Sequence, residues 1–306
     1  MNKLRSLTLA ITALLALSGC APTTAPRWQA GEGAIKIVAS TNVWGSVANF
    51  VAGDLATVDA IIYNINQDPH SYELSARDQL LINNADIVIM NGGGYDDFMQ
   101  VAVDADPTPA ITVDAFMASG DDANRNEHIW YDVDQVGDVA AGIGAAIESI
   151  DESKTDAVEA RVADFRNEIS ERKARLEKIR VGLSLADVVP SEISVFQTEP
   201  LVAYLVEDAG YIDATPAGFS EAIEEERDVP PAVMREASDL IKSGGVRAIL
   251  INGSTQTAQI ETLLSVNTKI PNYEFSELLN QDPDTFEYHG GYLEMLDGAI
   301  EMVIGK

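Results

Sequence analysis

One stretch of this chain constrains all the others. From Glu152 to Val181 no glycine or proline interrupts the sequence, and Val158, Val162, Phe165, Ile169, Leu176 and Ile179 recur at spacings of 4, 3, 4, 7 and 3. Such spacings put these side chains on one face of an α-helix. Ser153 stands where a helix is capped and Gly182 where one stops. At ~1.5 Å per residue, thirty residues reach roughly 45 Å. That is enough to bridge two lobes, so residues 152–182 are predicted as a linking helix. The same stripe, at about four heptads, would also suit a coiled-coil dimer seam. A monomer is the expectation.

Strands and helices alternate on both sides of this helix. Ile35-Lys36-Ile37-Val38-Ala39, Val58–Ile62 and Asp86–Met90 are predicted strands, with helices over Val43–Leu55 and residues 76–84. After Pro190 the strand candidates are Ile193–Phe196, Val246–Ile251 and Asn272–Phe275. Helices are expected over Val202–Asp208 and from Tyr292 to Val303. Short apolar strands alternating with helices imply parallel sheets covered on both faces. The predicted class is α/β: two parallel-sheet sandwiches, an N-terminal lobe over residues 34–151 and a C-terminal lobe over 183–306, joined by one rigid helix.

The first nineteen residues do not belong to this fold. Lys3 and Arg5 precede an uncharged, mostly apolar run from Ser6 to Gly19, and Leu17-Ser18-Gly19 leads into Cys20, the only cysteine of 306 residues. A basic start, an apolar segment too short to span a bilayer and small residues before a cleavage point describe an export signal. A cysteine directly after such a segment resembles a bacterial lipoprotein signal, in which the thiol takes a lipid and becomes the mature N-terminus. Residues 20–33, rich in Ala, Pro, Thr and Gly, read as a flexible tether. The expected location is extracytoplasmic, lipid-anchored to the cell membrane. With one cysteine no internal disulfide can form. The net charge of −29 repels nucleic acid and anionic lipid, and it attracts cations.

Three histidines allow each to be weighed. His70 lies just past the strand ending near Ile62. His128 sits in Asn126-Glu127-His128-Ile129-Trp130-Tyr131-Asp132, and His289 lies near the C-terminus. Ligands of open α/β sheets bind beyond the carboxyl ends of strands. His70 fits that placement, as do Glu199 after Val195–Thr198 and Glu277 after Tyr273–Phe275. The histidines precede the long helix and the carboxylates follow it, so a cleft between lobes would gather all four. Two imidazoles and two carboxylates suit Mn²⁺, Fe²⁺ or Zn²⁺. Spacing alone shows no local motif such as H-x-x-x-H, and each histidine taken singly also reads as a structural loop residue.

At this point the residues reach a resemblance. Asp68-Pro69-His70-Ser71-Tyr72-Glu73-Leu74-Ser75-Ala76-Arg77-Asp78 resembles the D-P-H-x-Y-E-x-x-x-x-D signature of the zinc/manganese (cluster A-I) substrate-binding lipoproteins of ABC importers. His128-Ile129-Trp130-Tyr131-Asp132 resembles that family's H-x-W-x-D segment. Thr198-Glu199-Pro200-Leu201-Val202-Ala203-Tyr204-Leu205 is similar to its third ligand region, and Phe275-Ser276-Glu277 to its fourth, with Glu274 as the competing position. The resemblance implies two α/β lobes on a rigid helix, with the metal held between them by His70, His128, Glu199 and Glu277. It implies delivery to a membrane permease driven by a cytoplasmic ATPase. It also implies that the chain is not an enzyme.

In the family it resembles, many zinc members carry a third histidine ligand and a His/Asp/Glu-rich loop before the second ligand. Here Glu199 stands in the third position, and Ala118–Glu127 holds acids and Asn but no histidine. More oxygen donors move the site toward manganese, zinc would still bind tightly, and ferrous iron ranks third. Asp68 and Asp132 are candidates to fix the imidazole tautomers, and Trp130 to pack beneath the site. Two readings compete with the carrier: an extracytoplasmic metallohydrolase on the same ligands, and a metal-binding surface adhesin. Other motifs have plainer explanations. Gly92-Gly93-Gly94 lacks the G-K-[ST] of a phosphate loop and reads as a turn. Ser220, Asp239 and His289 run in hydrolase order, but no strand closely precedes Ser220. Glu224-Glu225-Glu226 reads as a solvated loop, or as an acidic edge that faces the permease.

Overall fold

The computed structural model describes residues 27–28, 34–105, 110–118, 126–186, 188–255, 257–280 and 290–305. Cys20, His289 and most of the expected tether lie outside them. The first sheet holds β1 (Arg27–Trp28), β2 (Ile35–Thr41), β3 (Ala56–Ile62), β4 (Ile87–Met90) and β5 (Ile111–Asp114) in the order β1-β3-β2-β4-β5. All neighbours are parallel except β1, which pairs antiparallel with Val58 and Asp59 of β3. The segment expected as slack is therefore pinned to the sheet at Arg27–Trp28. Helices α1 (Asn42–Ala52), α2 (Ala76–Asn83), α3 (Asp97–Asp104), α4 (Ala115–Ala118) and α5 (Val136–Ile150) complete this lobe. Ile37, Ala39, Val58, Ile87 and Ile89 are buried, as strands covered on both faces must be.

Helix α6 (Thr155–Leu185) follows, then α7 (Pro190–Ile193) and a wholly parallel second sheet. Its strands are β6 (Ser194–Gln197), β7 (Ile212–Asp213), β8 (Ala248–Asn252) and β9 (Asn272–Phe275), ordered β7-β6-β8-β9. Helices α8 (Ala203–Asp208), α9 (Phe219–Glu224), α10 (Pro231–Ser243), α11 (Ala258–Val266) and α12 (Tyr292–Val303) pack around it. In each sheet the chain goes out to one side of a central strand and returns on the other. The crevices at these reversals, beyond β2/β4 and beyond β6/β8, are where open α/β sheets bind ligands.

Helix α6 departs from its expected ends. Ser153 does not cap it; instead the Asp151 side chain accepts from Ser153 N and starts a short 3-10 turn. Gly182 does not stop it either, and the helix runs three residues further, to Leu185. A glycine inside a helix costs only about 1 kcal/mol, which the neighbouring helical residues tolerate. The stripe itself is buried as the period requires: Val158, Phe165, Ile169 and Leu176 are core, with Val162 and Ile179 packed against it. The seven-residue gap is filled by Arg172, buried on the same face. Its guanidinium donates to Glu168 on α6 and to Asp297 on α12 at 2.6 Å.

One hydrophobic cluster runs through both lobes and the helix, from Ile37 and Val51 through Phe165 to Leu250 and Phe275. Polar bonds cross it. Asn42 of the first lobe exchanges two hydrogen bonds with the backbone of Leu279, at 3.1 and 3.0 Å. Tyr292 donates to Trp130 O at 2.6 Å, and Tyr131 to Ser276 O at 2.8 Å. Phe165 stands at the junction, its ring 5.3 Å from Phe50 of α1 and 5.9 Å from Tyr292 of α12. Phe165→Ala is expected to destabilise the protein by about 3–5 kcal/mol, through lost apolar contact and the cavity left behind, measured by urea denaturation.

Candidate metal site between the lobes

A cavity of about 1230 Å³ opens between the two crevices, lined among others by His70, Glu127, Glu199, Glu224, Glu277 and Arg227. Carboxylates dominate its wall, and its one guanidinium, Arg227, pairs with Glu225 at 2.5 Å rather than with the donors named here.

His70 reaches the cavity on the loop after β3. Its two nitrogens are both held, Nδ1 by Asp68 Oδ1 at 3.1 Å and Nε2 by Glu127 Oε1 at 2.7 Å. Burial alone would lower its pKa, but these two carboxylates raise it to about 10, so this imidazole carries a proton. Asp68, through its bond to His70 and despite some burial, falls to about 2. This is the orienting role expected of Asp68.

His128 is the opposite case. It starts the 3-10 turn Ile129–Tyr131, is 1% exposed, and is pushed down to about 3 by burial and by the charge on His70. A neutral imidazole is what a metal requires of its ligand. The Asp132 carboxylate accepts from Asp134 N at 2.9 Å, where the residues after the 3-10 turn begin the next turn. The Nδ1 of His128 is held by Asn126 Oδ1 at 2.6 Å. Asn126 in turn donates to Pro200 O at 2.5 Å, and Tyr204 donates to Asn126 O at 2.6 Å, so His128 is keyed to the second lobe. Trp130 packs beside it, ring to ring at 5.2 Å, as expected.

Glu199 follows β6 and Glu277 follows β9; they are 5% and 6% exposed, and burial raises both pKa values. Asn252, the last residue of β8, donates to one oxygen of each at 2.5 Å. Tyr95 donates to the other oxygen of Glu277 at 3.0 Å. Its ring stands between the two imidazoles, 5.0 Å from His70 and 6.1 Å from His128. Glu199 Oε1 is buried with no hydrogen-bond partner. Glu274, the competitor of Glu277, is exposed on β9.

The glycine run reads as expected, as a turn with φ of 74°, 68° and 99°. A side chain at Gly92 would strike Asp114 and one at Gly93 would strike Phe116, so glycines let this loop deliver Tyr95 to Glu277. Ser220 donates to Gln197 O at 2.9 Å, which leaves its hydroxyl structural, and His289 lies outside the described residues.

Two donors escaped the sequence reading. Glu127, His128 and Glu224 offer ligand atoms within 4.8 Å of one another. Glu224 was expected in a solvated loop; instead it ends α9 facing the cavity, 3.9 Å from His128 Nδ1. The Glu224-Glu225-Glu226 run gave no sign of which acid turns inward, because α9 ends inside it. Burial, then the charges of Glu127 and Glu199, raise Glu224 to about 7. A raised folded-state pKa gives stability that is present below the unfolded value and lost as pH rises through 7. Glu224→Gln is therefore expected to stabilise the metal-free protein on the order of 2 kcal/mol at pH 8 and negligibly at pH 4. Thermal melts of both proteins across that range check it.

Two facing crevices, bridged by one long helix, bring His70 and a set of carboxylates to one cavity and define a two-lobed α/β protein with an acidic cleft. The chain belongs to the ZnuA family, the periplasmic component A of the zinc-uptake complex, which matches residues 37–303. It is similar to the manganese-binding lipoprotein MntA of Halalkalibacterium halodurans, 32% identical over 136 residues. That alignment covers 43% of this chain and 44% of the relative, so it spans less than half of that protein. Solved structures share the fold. The periplasmic zinc binding protein TroA from Treponema pallidum has a TM-score of 0.72 at 16% identity, over 89% of this chain and 98% of that one. FpvC from Pseudomonas aeruginosa, in complex with Mn²⁺, gives 0.70 at 20% identity, over 89% and 97%. The Mn-bound periplasmic metal binding protein of Candidatus Liberibacter asiaticus gives 0.67 at 20%, over 88% and 98%.

Proposed function

We propose that this protein captures a divalent transition metal, manganese or zinc, outside the cytoplasm and hands it to an ABC-type permease for import. His70, His128, Glu199 and Glu277 are the ligands. One observation carries this reading: a buried carboxylate oxygen, Glu199 Oε1, stands without a partner, and its residue lines a cavity shared with the His70 imidazole and several carboxylates. Burying such a group is costly unless something positive meets it. The relatives named for zinc and manganese support the choice of cargo class. Glu127 releases His70 Nε2 when the ion arrives, so capture exchanges a proton for a metal. Glu127 and Glu224 line the approach and raise the local cation concentration.

Purified protein analysed by native mass spectrometry with elemental analysis should carry one ion, manganese or zinc. His70→Ala should abolish tight binding while His289→Ala leaves it unchanged; equal losses would mean the histidines are wrongly assigned. A metallohydrolase on the same ligands would need an open position for water. Metal-dependent turnover of esters or phosphoesters would favour it over a carrier.

The anchor is part of the same reading. Lipid on Cys20 would keep the carrier beside its permease and ATPase. Cys20→Ser should move the protein from the membrane fraction to the soluble one while metal affinity stays the same, checked by fractionation and metal titration.

A further inference from the structure

Asn252 closes β8 and is 1% exposed. Its Nδ2 donates to Glu199 Oε2 and to Glu277 Oε1, at 2.5 Å in both cases, with a longer contact of 3.4 Å to Thr255 Oγ1. The amide cannot turn over, because its Oδ1 accepts from Ser254 N at 3.0 Å. Tyr95 holds Glu277 Oε2. The two carboxylates together have three oxygens that accept from neutral donors and one, Glu199 Oε1, that accepts from nothing.

We propose that Asn252 is a specificity-determining positioning residue: by tying Glu199 Oε2 to Glu277 Oε1, its amide leaves one oxygen of each carboxylate for the ion, the unpartnered Glu199 Oε1 and Glu277 Oε2, which keeps a lone pair beside its bond from Tyr95. This rests on Glu199 and Glu277 being ligands. A carboxylate that chelates with both oxygens must swing until both face the metal. The bond from Asn252 holds one oxygen of each toward the end of β8 and opposes that swing. Two imidazoles and two single oxygens then make four donors, the number zinc takes in tetrahedral sites. Manganese favours octahedral surroundings rich in oxygen. Asn252 thus counteracts the preference for manganese that a carboxylate-rich set otherwise has. A neutral amide is suited to this role. A lysine or arginine would hold the same oxygens but place a positive charge beside the incoming one, and an aspartate would add a third buried anion.

The test measures Zn²⁺ and Mn²⁺ affinities by chelator competition, and the zinc coordination number by X-ray absorption. The wild-type chain is compared with Asn252→Leu and Asn252→Ser, and with Glu199→Gln and Glu277→Gln as controls. Asn252→Leu should lower the zinc-to-manganese affinity ratio about tenfold, in the range by which partners of metal ligands alter affinity. It should also add at least one oxygen to the zinc shell. Asn252→Ser keeps one donor and should fall between; it carries the same comparison if the leucine variant does not fold. An unchanged ratio and coordination number in the Asn252 variants, with binding lost in both glutamine variants, would overturn the role of Asn252 and leave the ligands standing. Full affinity in both glutamine variants would overturn the ligand assignment and this proposal with it.

Discussion

Buried carboxylates hydrogen-bonded by neutral side chains are the condition on which the cleft depends. Glu199 and Glu277 lie almost wholly out of water, yet what bonds them is an amide and a phenol, Asn252 and Tyr95. No lysine or arginine bonds either carboxylate among the described residues. Desolvation of such groups is expensive, and burial raises their pKa values accordingly. The charge of His70 offsets part of that cost for both, whereas a lysine or arginine bonded to them would relieve it permanently and fill the place of the proposed cargo. Neutral donors fix the geometry and leave the charge to be met by an ion that can come and go.

That arrangement survives only if the lobes do not drift. A cluster of core residues continuous through both lobes, Phe165 at the junction and the Asn42–Leu279 exchange hold them in register. The site is wired into the same contacts. His128 is oriented by Asn126, and Asn126 is bonded to Pro200 and Tyr204 of the other lobe. Glu277 of the second lobe is bonded to Tyr95 of the first. Wide opening of the lobes would break bonds that also shape the site. The acids at the mouth, Glu127 and Glu224, belong to opposite lobes and are half-buried, so they are placed to respond first.

Much of the fold was legible because its signals are local and periodic. The stripe on α6, the runs around Ile37, Ile89 and Ile249, and the amphipathic C-terminal helix each show within a dozen residues or so. The failures were at boundaries and faces. Gly182 reads as a stop, but it sits in a helix whose neighbours favour continuing, so the end comes at Leu185. The step of seven over Arg172 left that position of the stripe unassigned, and pairing with Glu168 and Asp297 lets the guanidinium be buried there.

By itself, the sequence determined the two α/β lobes, the helix between them and the four residues offered as ligands, because alternation, helical period and position after a strand are properties of short segments. The tertiary structure alone decided which further groups meet those residues. Asn252 lies far from Glu199 in the chain and becomes its partner because β6 and β8 are neighbours in the sheet. Asn126 holds the Nδ1 of His128, and Glu224 turns inward from an acidic run that looked solvated. Contacts of that kind come from the closure of long loops and the packing of one lobe on the other, and no local pattern of residues records them.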